Sequence, residues 1–254
     1  MKKFFAILLT LALLVSTAAL AETFKMGFDA EYPPYTYLGD DGKYTGFDIE
    51  MCEKCCEILG WDIEYVPVNW DTKLMSLDAG EVDCIWSGLT LDVLDGEAYT
   101  LSFAYSDNSQ MMLTKEGTGI NSYEDLVGKV VGVQLGTSAD ILLSGDMAEL
   151  TATFGELVRY ENYNVCFTEL MAGAIDAIAI DIGVAANKIA EYGEEYYTLE
   201  EPWAAETYGI CMRKDDADKC AQLEEAFMQL VEDGTYLALA EKYELDVNAL
   251  CLLK

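Results

Sequence analysis

The stretch VGKVVGVQLGTSADILL, residues 127–143, is the part of the sequence that decides the fold. It predicts a buried strand up to Leu135, a turn at Gly136 and a helix that begins directly after the turn. The stretch AIDAIAID, residues 174–181, repeats the pattern, because this apolar strand also leads into a predicted helix at residues 184–191. Strands that alternate with helices in this way indicate βαβ units and a largely parallel sheet.

The same alternation runs through the rest of the chain. Strands are predicted at residues 23–28, 61–68, 82–86, 158–160 and 208–212, and helices at residues 48–59, 72–79, 163–171, 217–231 and 236–242. Two successive α/β units followed by a C-terminal return predict two lobes joined by two crossings of the chain. Sheets of this kind bind ligands at the carboxyl ends of their strands, in a cleft between lobes.

The composition excludes several classes of function. The 254 residues carry 15 Lys+Arg against 46 Asp+Glu, a formal net charge of −31. Phosphate backbones repel such a chain, so we expect no nucleic-acid partner. Histidine is absent, which removes Ser-His and Cys-His nucleophile pairs and His-ligated zinc.

The N-terminus predicts a secretory signal peptide over residues 1–21. Lys2 and Lys3 precede an apolar run, and small residues end this run at Ala19 and Ala21, which is a cleavage pattern. The alternative is a membrane anchor, which is disfavoured because the apolar stretch is shorter than the about 20 residues of a span. We therefore expect cleavage near Ala21 and a periplasmic or secreted mature protein.

Eight cysteines raise the question of disulfides, because an exported protein enters a compartment where they form. Cys52, Cys55 and Cys56 fall at helical spacing and could ligate a metal. No second C-x-x-C pair accompanies them, so we favour small core residues on one helix face. The pairing of the other cysteines does not follow from the sequence, and we expect neither a metal nor another cofactor.

With these elements placed, the mature chain resembles the bacterial solute-binding proteins, family 3, that serve polar amino-acid ABC importers. The resemblance runs nearly end to end and is carried by six motifs in order: GFDAEYPPYTY (27–37), DGKYTGFDIEM (41–51), LDAGEVDCIWSGLT (77–90), LVGKVVGVQLGTSAD (126–140), AGAIDAIAIDIGVAA (172–186) and ICMRKDDAD (210–218). It implies a two-lobe periplasmic-binding-protein clamshell of type II that closes about a hinge. Each lobe would be a mixed, mostly parallel sheet flanked by helices, with residues 22–109 plus 206–254 as lobe 1 and residues 110–205 as lobe 2.

The resemblance further implies a monomeric protein that is not an enzyme. It would bind one small molecule, an amino acid or a cationic amine, and deliver it to an ABC permease in the membrane. The ligand-binding residues implied in this way lie at strand ends and in the adjoining turns: Asp29, Tyr32, Trp70, Ser87, Gly88, Thr90, Asp95, Gln134, Thr137, Ser138 and Asp181.

Several of these residues also have a physical rationale beside an ordinary structural one. Tyr32 and Trp70 offer ring faces that attract cations, although core packing would use the same rings. Thr137 and Ser138 open a helix, where they either help to bind an anion or simply cap the helix. Asp181 ends an apolar strand, where it would hold the ligand's ammonium group, and the alternative is a solvated loop acid.

The sequence departs from the family at one position. The family carries an arginine shortly after the SGLT-like turn, which clamps the ligand's α-carboxylate, but here Asp95 stands at that place. The carboxylate is then left to the turn at residues 136–138, with Lys73 or Lys115 as further candidates. Alternatively the ligand has no carboxylate there and is a cation, such as a basic amino acid or a polyamine.

Two other functions stay open at this stage. A dehydratase of cyclic dienyl acids on the same clamshell would need a general acid and a carboxylate-binding cation in the cleft, and the cation is missing. A ligand sensor without transport would show the same sequence features as a transport protein.

Overall fold

The computed structural model describes residues 22–253, so the predicted signal peptide lies outside the described residues. The strands are β1 (Thr23–Phe28), β2 (Glu31–Tyr32), β3 (Thr36–Leu38), β4 (Tyr44–Thr45), β5 (Asp62–Pro67), β6 (Cys84–Thr90), β7 (Tyr99–Leu101), β8 (Ser106–Lys115), β9 (Val130–Gln134), β10 (Glu156–Tyr160), β11 (Ala177–Asp181), β12 (Tyr196–Thr198) and β13 (Ala204–Arg213). The α-helices are α1 (Phe47–Leu59), α2 (Lys73–Asp78), α3 (Ser138–Ser144), α4 (Ala148–Thr151), α5 (Tyr163–Ala172), α6 (Ile182–Tyr192), α7 (Ala217–Glu232) and α8 (Thr235–Lys242). Short 3₁₀ turns occupy Trp70–Thr72, Tyr123–Leu126, Lys214–Asp216, Val247–Ala249 and Cys251–Leu253.

Most of the strands form one mixed sheet in the order β10-β9-β11-β8-β13-β6-β1-β5. The pairs β1/β5, β1/β6, β9/β10 and β9/β11 are parallel, whereas β8 runs antiparallel to both β11 and β13. Helices α3 and α5 pack on β9 and β11, and α1 packs on β5 and β6. The predicted α/β class, with a largely parallel sheet and flanking helices, is confirmed.

The two halves of the sheet meet where β8 pairs with β13, and along both strands the chain crosses from one half to the other. Ser106–Gln110 pair with Ala204–Tyr208, and Ser109 lies directly opposite Ala205. The lobe boundaries predicted at 109/110 and 205/206 fall at this crossing. We call residues 22–109 with 206–253 the first half, and residues 110–205 the second half; their movement relative to one another stays a prediction.

Strand β8 is absent from the sequence-based prediction. Its first part, SDNSQ, is polar and shows neither an apolar run nor regular alternation. Asn108 and Gln110 are nevertheless buried in the structure, because their side-chain amides donate hydrogen bonds to the buried carboxylate of Asp181. Strand β13 begins at Ala204 rather than at the predicted Tyr208, because its additional residues pair with β8.

The cysteines of helix α1 lie on the side of the helix that faces the core. Cys52, Cys55 and Cys56 are buried and belong to the same apolar cluster as Cys84 and Trp86. Among residues 22–253, no group of cysteine and acidic side chains is placed to hold a metal ion. In the described part of the chain, no helix is both long and apolar enough to cross a bilayer.

Helix α1 also carries a fully buried acid, Asp48, in its first turn. The Asp48 carboxylate accepts hydrogen bonds from the Gly88 N–H at 2.6 Å and from the Tyr105 hydroxyl at 2.9 Å. Burial raises the pKa of Asp48 to about 7, because the charged form loses its hydration. Asp48 therefore fixes the end of β6 while carrying a carboxyl group that titrates near neutral pH.

The raised pKa of Asp48 predicts a pH-dependent stability. The folded state holds the Asp48 proton more tightly than the unfolded chain, so this group stabilises the fold below a pH of about 4 and the contribution is lost as the pH rises through 7. We expect the free energy of unfolding of the wild type to fall between pH 5 and pH 8. Asp48→Asn should flatten this fall by about 2 to 4 kcal/mol in denaturant titrations. Asp41→Asn, in an exposed turn, is the control, and an unchanged slope in Asp48→Asn would contradict the assignment.

Candidate functional site

A cavity of about 100 Å³ lies between the two halves, beside the carboxyl ends of β6 and β11. The first half contributes the aromatic ring of Tyr32, the start of the α2 region, the end of β6 and the loop after it. The second half contributes the turn before α3, one face of that helix and Asp181. The lining residues are Tyr32, Trp70, Lys73, Leu74, Gly88, Leu89, Thr90, Val93, Leu94, Gly136, Thr137, Ser138, Ile141 and Asp181.

The structure brings many of the predicted ligand residues together at this cavity: Tyr32, Trp70, Gly88, Thr90, Thr137, Ser138 and Asp181. Other predicted residues lie elsewhere. The Asp29 carboxylate accepts a hydrogen bond from the Gln134 amide at 2.6 Å, and the Ser87 hydroxyl accepts one from the Asp29 N–H at 3.2 Å. Asp95 is exposed and accepts a hydrogen bond from the Glu97 N–H at 2.8 Å. These four residues do not line the cavity, and their role in ligand binding stays a prediction.

Asp181 is a buried carboxylate held by neutral donors. Its Oδ1 accepts from the Asn108 amide at 2.9 Å, from the Gln110 amide at 2.7 Å and from the Tyr208 hydroxyl at 2.7 Å. Its Oδ2 accepts from the Tyr163 hydroxyl at 3.2 Å. Within residues 22–253, no lysine or arginine pairs with Asp181. The side chain is thus fixed in position while its charge lacks a counter-ion.

Tyr32 belongs to the same network through its hydroxyl, which lies 2.9 Å from that of Tyr208. Its ring stacks on Tyr35 with centroids 5.5 Å apart. Gly88 leaves room for this ring, because a Cβ at Gly88 would lie 2.6 Å from Tyr32 Cε1, and its φ of +52° also favours glycine. The N–H of Gly88 is already bonded to Asp48. Gly88 therefore shapes the cavity wall, and a direct contact of Gly88 with a ligand stays a prediction.

Glu206 lies beside Asp181 and has no counterpart in the sequence-based prediction. The amides of Asn108 and Gln110 donate to its Oε1 at 2.5 Å and 2.9 Å, and both amides also donate to Asp181. Burial and the nearby charge of Asp181 raise the pKa of Glu206 to about 7. Glu206 does not line the cavity. Glu206 lies on β13 in the segment that pairs with β8, outside the wall of the cavity.

Lys73 is a buried cation that faces the cavity. Its Nζ donates to the Trp70 carbonyl at 3.0 Å and, across the two halves, to the Gly136 carbonyl at 2.7 Å. It also lies 4.6 Å from the centroid of the Trp70 ring. Burial lowers the pKa of Lys73 to about 8. Among the described residues, no carboxylate forms an ion pair with it.

The other basic residues considered from the sequence lie outside the cavity. Arg159 pairs with Asp140 at 2.6 Å, and Arg213 pairs with Asp83 at 2.9 Å. Lys115 donates to the Met171 carbonyl. Of the two lysines left open as partners of a ligand carboxylate, the structure places only Lys73 on the wall that the described residues form.

Most of the polar groups in the turn at residues 136–138 already have hydrogen-bond partners, chiefly in α3. Thr137 caps α3, because its hydroxyl accepts from the Asp140 N–H at 3.2 Å, and the Asp140 carboxylate accepts from the Gly136 N–H at 3.2 Å. The Ser138 hydroxyl accepts from the Gln110 amide at 3.1 Å. The geometry is that of a capped helix with an acid already at its start, and an anion site at this turn stays a prediction.

The two halves approach closely around the cavity. A Cβ at Gly136 would lie 2.6 Å from the Asp71 Cα, and a Cβ at Gly183 would lie 2.5 Å from the Tyr35 hydroxyl. Both glycines lie in the second half, and their neighbours lie in the first. These approaches, with the Lys73–Gly136 and Gln134–Asp29 hydrogen bonds, describe two halves in contact around a small cavity.

Gly183 offers a test of whether ligand binding needs this contact. Gly183→Ala should leave folding stability intact, because alanine favours the helix by about 1 kcal/mol, yet its methyl group would meet the Tyr35 hydroxyl when the halves close. We expect ligand affinity to fall about tenfold by calorimetry, equivalent to about 1.4 kcal/mol. The double variant Gly183→Ala/Tyr35→Phe removes the obstructing oxygen and should restore most of the affinity. Wild-type affinity in the single variant would show that binding does not require the contact.

A comparison with protein families gives one match over nearly all of the described chain. The model described as "Bacterial extracellular solute-binding proteins, family 3" matches residues 24–246. An L-cystine-binding protein of Escherichia coli is 29% identical over 223 residues, which cover 87% of this chain and 82% of that protein. An L-arginine-binding protein of Pseudomonas aeruginosa is 29% identical over 235 residues, 89% of this chain and 90% of that protein.

Solved structures show the same likeness. The substrate-binding protein of an ABC uptake transporter from Streptococcus pneumoniae, solved with bound histidine, superposes with a TM-score of 0.83 at 28% identity, covering 87% of this chain and 92% of that one. An ancestral amino-acid-binding protein, described as a precursor of cyclohexadienyl dehydratase, superposes with a TM-score of 0.78 at 30% identity. The match covers 87% of this chain and 95% of that one.

Proposed function

The chain belongs to the bacterial extracellular solute-binding proteins of family 3, and from this premise we propose that it captures one amino acid between its two halves and presents it to an ABC importer. The relatives named above are binding proteins for L-cystine and L-arginine, and the Streptococcus pneumoniae structure holds histidine. The proposed reaction is reversible binding, without chemical change of the ligand. Glu206, the acid beside the cavity whose raised pKa would suit a catalytic proton donor, does not line it.

One observation carries this proposal: Lys73 and Asp181 line the same cavity, and each is a buried charge that forms no ion pair among the described residues. An unpaired buried charge costs several kcal/mol, so buried charges are normally paired. An amino acid supplies both missing partners, its ammonium group for Asp181 and its carboxylate for Lys73. The cavity is therefore complementary to a zwitterion, and a diamine or polyamine would satisfy Asp181 while leaving Lys73 unpaired.

The proposed capture proceeds in two steps. The ligand first rests on Tyr32, Trp70 and Thr90 of the first half, and closure then brings Asp181 and Ser138 of the second half onto it. Because Lys73 also donates to the Gly136 carbonyl of the second half, the cation that holds the carboxylate stabilises the closed arrangement as well. The hinge would be the crossing of β8 and β13.

The proposed partners follow from this cycle. The closed form is what an ABC permease would recognise, and the protein would act as a monomer outside the cytoplasm after cleavage near Ala21. Calorimetry on ligand-stripped protein with the proteinogenic amino acids is the test of the function. Binding of at least one of them below millimolar concentration is expected, and no binding to any of them would contradict the proposal.

Lys73→Met separates ligand recognition from stability. Without its cation the cavity should bind amino acids at least about 100-fold more weakly, because a buried carboxylate loses its partner. The ligand-free variant should be more stable than the wild type by about 1 to 3 kcal/mol, because an unpaired buried charge is removed. Thermal unfolding with and without ligand measures both effects. Lys43→Met, at an exposed turn, is the control, and retained affinity in Lys73→Met would exclude Lys73 as the carboxylate partner.

The lowered pKa of Lys73 predicts proton uptake on binding. At pH 8.5 the ligand-free protein holds Lys73 mostly neutral, since its pKa is about 8, and an arriving carboxylate favours the charged form. Calorimetry in two buffers of different ionisation enthalpy should show a substantial fraction of a proton taken up per ligand at pH 8.5. In Lys73→Arg, whose side chain stays charged, this uptake should disappear. An uptake of the same size in the arginine variant would assign it to another group.

A further inference from the structure

Resting on the proposed binding of an amino acid, we infer that the ligand's side chain is short, uncharged and apolar. Once Lys73 and Asp181 are assigned to the carboxylate and the ammonium group, the side chain of the ligand must meet what remains of the lining. Half of the residues in that remainder form one surface, the apolar wall, which consists of Trp70, Leu74, Leu89, Val93, Leu94 and Ile141. The other half are Tyr32, Gly88, Thr90 and the turn at residues 136–138, none of which carries a charge to pair with a basic or acidic side chain.

Charge excludes a basic or acidic side chain. Apart from Lys73 and Asp181, no ionisable side chain but the phenol of Tyr32 lies among the described residues that line the cavity. Asp29 lines a separate cavity of about 240 Å³ that also includes Trp70, and its carboxylate accepts a hydrogen bond from Gln134. Asp71, which lies next to Trp70 in the sequence, is exposed and does not line the cavity. A lysine or arginine ligand would therefore bury a second positive charge against the apolar wall without a partner.

Size limits the side chain to a few atoms. A cavity of 150 Å³ lined by leucine, isoleucine and phenylalanine accepts benzene, a molecule of six carbon atoms. The cavity described here measures about 100 Å³, which is smaller than the cavity that accepts benzene. Glycine, alanine and 2-aminobutyrate have five to seven non-hydrogen atoms. Arginine and cystine have about twice as many.

Exposure within the apolar wall points to the same class of ligand. Ile141 is 45% exposed at the second-half side of the wall, and Leu74, Val93 and Leu94 are only half-buried on the opposite side. Apolar side chains from both halves thus meet around a space that no described side chain fills. A methyl or ethyl group of the ligand would cover them, and this burial favours binding.

The inference is specific because the named relatives bind larger or more polar amino acids. L-cystine and L-arginine are the ligands in the names of two relatives, and histidine occupies the Streptococcus pneumoniae structure. The apolar wall accounts for the difference, since a wall of this kind offers no partner to a guanidinium, an imidazole or a second carboxylate. Leu94 and Ile141, one from each half, are the residues that we infer to determine specificity.

The first experiment measures selectivity on the wild-type protein stripped of ligand. The probes are L-alanine and L-2-aminobutyrate against L-lysine, L-arginine, L-histidine and L-cystine, each titrated by calorimetry. We expect alanine or 2-aminobutyrate to bind at least about 100-fold more tightly than any of the other four. Tighter binding of one of those four would overturn the inference and leave the proposed function intact. The absence of binding for every amino acid would overturn the proposed function itself.

The second experiment places a carboxylate in the apolar wall. Leu94→Asp and Ile141→Asp, made separately, should each lower the affinity for alanine and raise that for L-lysine or L-2,4-diaminobutyrate, changing the ratio at least about tenfold in favour of the dibasic ligand. Met75→Asp, on the exposed side of α2 next to Leu74, adds the same charge outside the cavity and should leave the ratio unchanged. Circular dichroism checks that each variant is folded. If both wall variants fold and neither changes the ratio, the wall does not contact the ligand's side chain and the inference is wrong.

Discussion

The constraint on which the site depends is the presence of two opposite buried charges that the protein keeps apart. Lys73 and Asp181 come from different halves and line one cavity, yet the direct hydrogen-bond partners of each are neutral, carbonyl oxygens for the ammonium and amides or phenols for the carboxylate. The carboxylates of Asp71 and Asp29 attract Lys73 without forming an ion pair with it. The neutral partners fix the direction of each charge without neutralising it. A direct ion pair between the two side chains would neutralise both charges, and a ligand would then find no unpaired charge to bind. The cavity is thus a compromise in which stability is given up for recognition.

The segment where β8 pairs with β13 lies next to the cavity, so the proposed hinge and the proposed ligand site share side chains. Asn108 and Gln110 lie in the segment of β8 that pairs with β13. Their amides donate hydrogen bonds to both Asp181 and Glu206. A ligand ammonium at Asp181 competes for the same carboxylate oxygens. In the proposed cycle, a change at Asp181 would reach the paired strands β8 and β13 through these hydrogen bonds, without a longer route through the core.

The sequence predicts the parts of this protein that follow a local pattern. The buried strands before Gly136 and at residues 177–181, the helices after them and the cavity position of Asp181 all follow from apolar runs and turn residues. The sequence names Lys73 as a candidate partner of the ligand's carboxylate but does not predict its burial. Strand β8, Glu206 and the burial of Lys73 depend on partners distant in the chain, since two acids accept the amides of the polar strand and a carbonyl of the other half accepts from the lysine. No local pattern encodes such pairs. Asp95 shows the converse, since its place in a family motif does not bring it to the cavity.

The chain has no histidine, the side chain that ordinarily titrates at physiological pH. Asp48, Glu206 and Lys73 titrate in or near that range instead, because burial shifts the pKa of each, and the nearby charge of Asp181 adds to the shift of Glu206. What makes this protein responsive to the acidity of its surroundings is thus how little water reaches three interior positions, rather than the intrinsic chemistry of any one side chain.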